Sequence, residues 1–254
     1  MSIKPIPFNT EMVKAVLDGR KTQTRRVVKG IEGLNVYRAE PAEDSYETLR
    51  EWDFFYGWSE NGALFDAIQS VKAPYAPGDI LWVRETWTPY CMNIKTCPNG
   101  VLAHAKYCYK ASVDDAWHGC VDDSLPESCR WRPSIHMPKE AARIFLRVKN
   151  LRVERLQDMS EDDAFAEGAG PFITCDHEHP LIDSTGAYYD MCYNDTPCIH
   201  CPIDRSYGEL FGELVYNPTV KKKDLPIYGW DANPWVWVIE FERCKKPEGW
   251  PTCR

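Results

Sequence analysis

"PGDILWVRETW", residues 77–87, sets the reading of the whole chain. Pro77-Gly78-Asp79 is turn chemistry, and Ile80 to Val83 is an apolar run short enough to be a buried strand. In extended backbone Trp82 and Arg84 share one face, while Val83, Glu85 and Trp87 share the other. Downstream, "ARIFLRVKNLRVERL" (142–156) alternates apolar and charged residues, which predicts a half-buried strand or a bent strand pair. "PWVWVIEFER" (234–243) predicts another strand, and "AKYCYK" (105–110) a short one. Upstream, Thr10 is the expected N-cap of a helix whose apolar stripe is Met12, Val13, Val16 and Leu17, with Gly19 as its stop. "SEDDAFAEG" (160–168) predicts a short helix capped by Ser160, with Asp163 at the capping-box position and Gly168 at the end. "RSYGELFGELVYN" (205–217) reads as helix interrupted by Gly208 and Gly212, and residues 30–70 as a loop-rich insertion. Several strands with few helices imply an α+β chain: a small β-barrel with short flanking helices and large loop insertions. We expect one domain over 1–254, with insertions at about 30–70, 91–130 and 171–233.

Composition narrows the function. Hydrophobic residues make up 44% of the chain and it holds 10 Trp, which implies a packed globular core. No apolar run approaches the ~20 residues of a membrane span, and "MSIKPIPFNT" has no apolar signal core, so the expected location is cytoplasmic, without a membrane partner. A net charge of -8 argues against general coating of duplex nucleic acid, which relies on broad phosphate neutralisation. It leaves room for a local basic site for one nucleotide or a short single strand.

Such a site is suggested by "DGRKTQTRRVV", residues 18–28, where Arg20, Lys21, Arg25 and Arg26 gather with Thr22 and Thr24 behind the first helix. One reading is structural: basic residues after a helix end cap its carbonyls and offset its dipole. The other is a binding pocket. If Lys21 is buried beside Arg20 and Arg25, desolvation and like charge weaken its hold on a proton, so that it can accept one from Thr24 or from a water. Backbone N–H groups after Gly19 would steady an oxyanion.

"GRKTQTRR" after a helix, then "PGDILWVRETW", then "WVWVIEF" near the end resemble the ASCH domain of the PUA-like β-barrel superfamily. The whole chain, including "WRPSIHMPKEAARIFLRV", is similar to ASCH-domain proteins of tailed phages and prophages. The likeness covers roughly residues 5–29, 72–90, 131–170 and 234–243. It implies a cleft that accepts RNA or a modified nucleoside. One bacterial branch hydrolyses the acetyl group of N4-acetylcytidine with a Lys, a Thr and a Glu; the matching positions are Lys21, Thr24 and Glu167. Glu167 would then shuttle a proton to the departing amine or orient Lys21. The resemblance also leaves open a non-catalytic RNA-binding or host-interaction module, or ribonuclease activity. Arg20, Arg25, Trp82, Arg84, Arg132 and His136 are the further candidates for ligand contact, the last two from the Pro-bounded "WRPSIHMP". Trp82 and Trp87 read equally well as core.

Eleven cysteines without a secretory signal point to reduced thiols and a search for metal ligands. Cys198-x-x-Cys201 is a knuckle spacing that Cys175 and Cys192 would complete as a structural zinc set within 171–202, with His177, His179 and His200 as alternative ligands. Free thiols or a redox pair are the competing readings. No deaminase-type zinc pattern and no organic-cofactor motif is present.

Overall fold

The computed structural model describes residues 2–60, 63–89, 107–112, 131–168 and 216–251. Its centre is a five-stranded sheet in the order β1-β6-β9-β10-β2. The strands are β1 (Ile3–Pro7), β2 (Gln23–Val27), β6 (Ile80–Arg84), β9 (Phe145–Arg155) and β10 (Trp235–Cys244). β1 runs parallel to β6, with Pro5 opposite Trp82, and the other pairs are antiparallel. Pro5 and Pro7 are tolerated because β1 is an edge strand. The backbone ladder leaves β1 and β2 as two edges, so the described sheet is not a closed barrel; the molecule is mixed α+β and mostly sheet.

Helix α1 (Thr10–Leu17) connects the two edges. Its N-cap is Asn9, whose side chain accepts from Met12 N, one residue before the expected Thr10. Gly19 follows the helix at φ 79°, as its stop residue should. Val13 and Val16 bury the apolar stripe in a core with Ile6, Phe8, Leu81, Val83, Leu146, Trp237 and Ile239. Asp79, in the turn before β6, is fully buried. Burial alone would raise its carboxyl, but Ser2 N, Arg50 and Lys4 outweigh that and hold it at about 2.

Residues 30–70 are not loop-rich. They form a second sheet of β3 (Asn35–Pro41), β4 (Glu51–Glu60) and β5 (Ala63–Lys72). Trp52 and Phe54 alternate inward on β4 and set their rings edge-on to Trp237, closing this sheet over the first. The predicted short strand near 105–110 is β8 (Tyr107–Tyr109), paired with β7 (Trp87–Pro89). Helix α2 (Glu161–Ala166) has the predicted capping box between Ser160 and Asp163 and stops at Gly168, φ 86°. The helical reading of 205–217 lies outside the described residues up to position 215. Among the described residues, no helix is long and apolar enough to cross a membrane.

Candidate functional site

The cationic turn caps α1 through its backbone, Lys21 N donating to Ala15 O (3.0 Å), and its side chains, with Thr22 N, serve the second helix. Arg20 Nη1 donates to Gly168 O (3.0 Å), Lys21 Nζ to Glu167 O (2.7 Å), Thr22 N to Ala166 O (2.8 Å) and Gln23 Nε2 to Asp163 O (2.7 Å). Four successive residues thus take up carbonyls at the end of α2, where its dipole favours positive charge. The fit is close. A Cβ on Gly168 would stand 2.7 Å from Ala15 Cβ and 3.0 Å from Lys21 Cβ, so only glycine admits α1, Lys21 and α2 together.

Lys21 is 3% exposed and Glu167 6%. Nζ lies 2.6 Å from Glu167 Oε2 and 5.5 Å from the centre of the Phe8 ring. Burial lowers the affinity of the lysine for its proton, Arg26 and Arg25 lower it further, and Glu167 only partly restores it. The other oxygen of Glu167 accepts from Arg25 Nη1 at 3.2 Å. Arg25 is in turn held by Glu154 (2.6 Å) and lies 3.5 Å from Asp163. Arg152 extends the network to Glu154 (3.0 Å), Asp163 (2.7 Å) and Glu240. Burial would raise Asp163, but Gln23, Ser160 and Arg25 bring its carboxyl down to about 2.

Two further residues converge here that sequence reasoning passed over. Arg26 stands over the Phe8 ring at 5.9 Å, donates to Pro7 O (3.0 Å), and so bridges the two sheet edges with a side chain. It forms no ion pair with a carboxylate among the described residues, unlike Arg25. The signal was available, since Arg26 follows Thr24 by two in a strand and so shares its face. Tyr216 is buried, and its phenol is pushed above its usual range by burial, with Arg26 and Glu167 both acting on it.

Thr24 is 1% exposed on β2 opposite Ile239 of β10. Its hydroxyl has no hydrogen bond among the described residues, and Lys21 Nζ donates to Glu167 rather than to Thr24. Of the other candidates, Arg20 is exposed and pairs with Asp18 (3.0 Å) besides capping α2. Trp82 packs in a different core cluster, with Trp87, Phe145 and Trp250, on the sheet face away from Phe8, Leu81 and Val83. Arg84 stacks on Trp82 at 5.5 Å and goes with it. Arg132 and His136 are exposed beside that second cluster, Arg132 lying over Trp87 at 5.4 Å. These four therefore do not join Lys21.

Cys175, Cys192, Cys198 and Cys201, with His177, His179 and His200, lie outside the described residues. Among the described residues, no three His, Cys, Asp or Glu side chains converge as metal ligands, and Cys244 is a free thiol. No family model, curated protein or solved structure matches the chain.

Proposed function

We propose that the chain is an ASCH-type, PUA-like protein that takes a modified nucleoside or an RNA segment at Lys21 and hydrolyses an N-acyl group from a cytidine-like base. The observation that carries this reading is the buried Lys21 ammonium, 2.6 Å from Glu167, with its proton affinity lowered and a buried threonine three residues along. A lysine whose hold on its proton is weakened by burial is suited to proton transfer, and Phe8 supplies an apolar wall beside it.

Neutral Lys21 takes the proton of Thr24 as its oxygen attacks the acyl carbon. Arg26 holds the resulting oxyanion, since the N–H groups of Gly19, Lys21 and Thr22 already serve helix carbonyls. The C–N bond then breaks and the departing N4 receives the proton from Lys21, with Glu167 keeping the ammonium aimed. Water attacks the acyl-threonine, Lys21 again accepting a proton, which returns to Thr24 as the carboxylic acid leaves. The test is incubation with N4-acetylcytidine and chromatographic detection of cytidine. Turnover by the parent, lost in Lys21→Ala and Thr24→Ala, is expected; no turnover at concentrations where the nucleoside binds removes the hydrolase reading.

The bond between Lys21 and Glu167, made in place of one to Thr24, favours a second reading, in which the same site binds RNA without chemistry. Binding abolished by Lys21→Ala, with no turnover in the parent, selects it. The insertion at 171–202 is proposed as a zinc staple. Metal analysis of the parent and of Cys198→Ser tests it, with about one zinc per chain expected only in the parent.

A further inference from the structure

The second core cluster carries cations laid over its aromatic rings. Arg84 stands over Trp82 (5.5 Å), Arg132 over Trp87 (5.4 Å), Lys139 over Trp250 (4.7 Å) and Arg143 over Tyr109 (4.0 Å). Arg143 is accounted for: it forks onto both oxygens of Glu85 and donates to Ser112 Oγ (2.7 Å). Among the described residues, Arg84 and Arg132 make no ion pair with a carboxylate. Arg84 Nε is buried with no hydrogen-bond partner among the described residues, and so is Nε1 of Trp87, a residue only 4% exposed.

These donors belong to one neighbourhood. Trp87 and Arg132 exchange two backbone hydrogen bonds (3.2 and 2.7 Å), and Arg84 precedes Trp87 by three residues. Glu85 N donates to Met137 Sδ (3.2 Å), which draws the 132–137 loop alongside the 84–87 segment. Nearby acceptors are already engaged, Glu85 by Arg143 and Glu140 by the Tyr107 hydroxyl (3.1 Å). What remains is two guanidinium forks, ordered on indole faces, and an indole N–H, with no acceptor among the three groups. Buried donors without an acceptor are costly to keep, and stacked arginines lose little further freedom on binding an oxyanion.

We propose that Arg84, Arg132 and the Trp87 indole form a phosphate-binding site, separate from Lys21 and on the opposite face of β6. Two guanidinium groups and one indole N–H are donors only, and a phosphoryl group offers them several anionic oxygens at once. The phosphoryl group belongs either to a mononucleotide or to a nucleic-acid strand.

The experiment follows the Trp87 indole N–H resonance by NMR, assigned by its loss in Trp87→Phe, during titration with inorganic phosphate, uridine 5′-monophosphate and a short single-stranded RNA at fixed ionic strength. A saturable downfield shift is expected, with affinity lowered about tenfold by Arg84→Gln or Arg132→Gln. Arg84→Lys keeps the charge without the planar fork and also weakens binding. Lys21→Ala leaves the shift in place. Equal affinity for monophosphate and RNA identifies the mononucleotide as source, and much tighter RNA binding identifies the strand. A resonance unmoved by all three ligands overturns the proposal, as does a shift that survives in Arg132→Gln, an exposed position where folding is not at stake.

Discussion

The two buried glutamates among the described residues are held in opposite ways. Glu85 gives both oxygens to a single guanidinium, 2.8 Å each, and Arg143 rests on the Tyr109 ring behind it. Glu167 divides its oxygens between two cations, the Lys21 ammonium at 2.6 Å and Arg25 at 3.2 Å, and Arg25 leans more closely on Glu154. A fork-to-fork pair is finished: all its charge is matched, and an arginine does not surrender its proton. The divided carboxylate faces one group that can, and burial weakens that group's hold. Burial and charge are shared by both sites; only the partner type separates a brace from a place where protons can move.

The sharpest break of this comparison is expected from the cations. Lys21→Met should reduce N4-acetylcytidine turnover about 10²–10⁴-fold, the usual reach of a general base. Arg143→Met should leave turnover within a few-fold, yet lower unfolding free energy by about 3 kcal/mol in a denaturant titration, because Glu85 is stranded in the core. A reversal of the two outcomes would make Lys21 the brace. The pH dependence adds a sign. Since the folded chain holds the Lys21 proton less firmly than the unfolded chain, stability should rise with pH below 10.5, and Lys21→Met should remove that rise.

Next in size is Gly168→Ala, expected to destabilise by about 2 kcal/mol through the contacts with Ala15 and Lys21 and the left-handed backbone, and to lower turnover by moving Lys21. Gly78→Ala meets nothing within 4 Å and should cost only the backbone strain, about 1 kcal/mol. Asp163 should contribute about 1–2 kcal/mol that is fully present above its ordinary value of 3.8 and lost as pH falls through about 2. Asp163→Asn should flatten that acid limb in thermal melts. Smallest is Asn9→Ala, about 1 kcal/mol of helix-cap stability with turnover unchanged.

What the sequence made legible follows from period and punctuation. β6 carries an apolar run between turn residues, β9 and β10 alternate, α1 and α2 carry cap residues, and the structure places them within a few residues of expectation. Pairing Lys21 with Glu167 across 146 positions came from a family resemblance, since no local rule joins them. β3 to β5 stayed hidden because "DFFYGW" sets three aromatics in a row, which masks the period of two. Asn9 and Thr10 are both competent caps, and only backbone geometry chooses. Alternation correctly grouped Trp82 with Arg84 but set Trp87 on the other face, whereas β6 ends at Arg84 and Trp87 joins the cluster of Trp82; nor could it say which face looks toward Lys21. Arg26 was passed over because its neighbour Arg25 offered the same charge.

The strand order has a bearing on synthesis at the ribosome. β2 makes its ladder with β10 alone, so the edge beside Lys21 has no backbone partner until translation passes Trp235. A truncated nascent chain would display that ribbon unpaired together with the apolar face of α1, an invitation to chaperones and to aggregation. Whatever Lys21 does, it can do only once the last strand has left the exit tunnel.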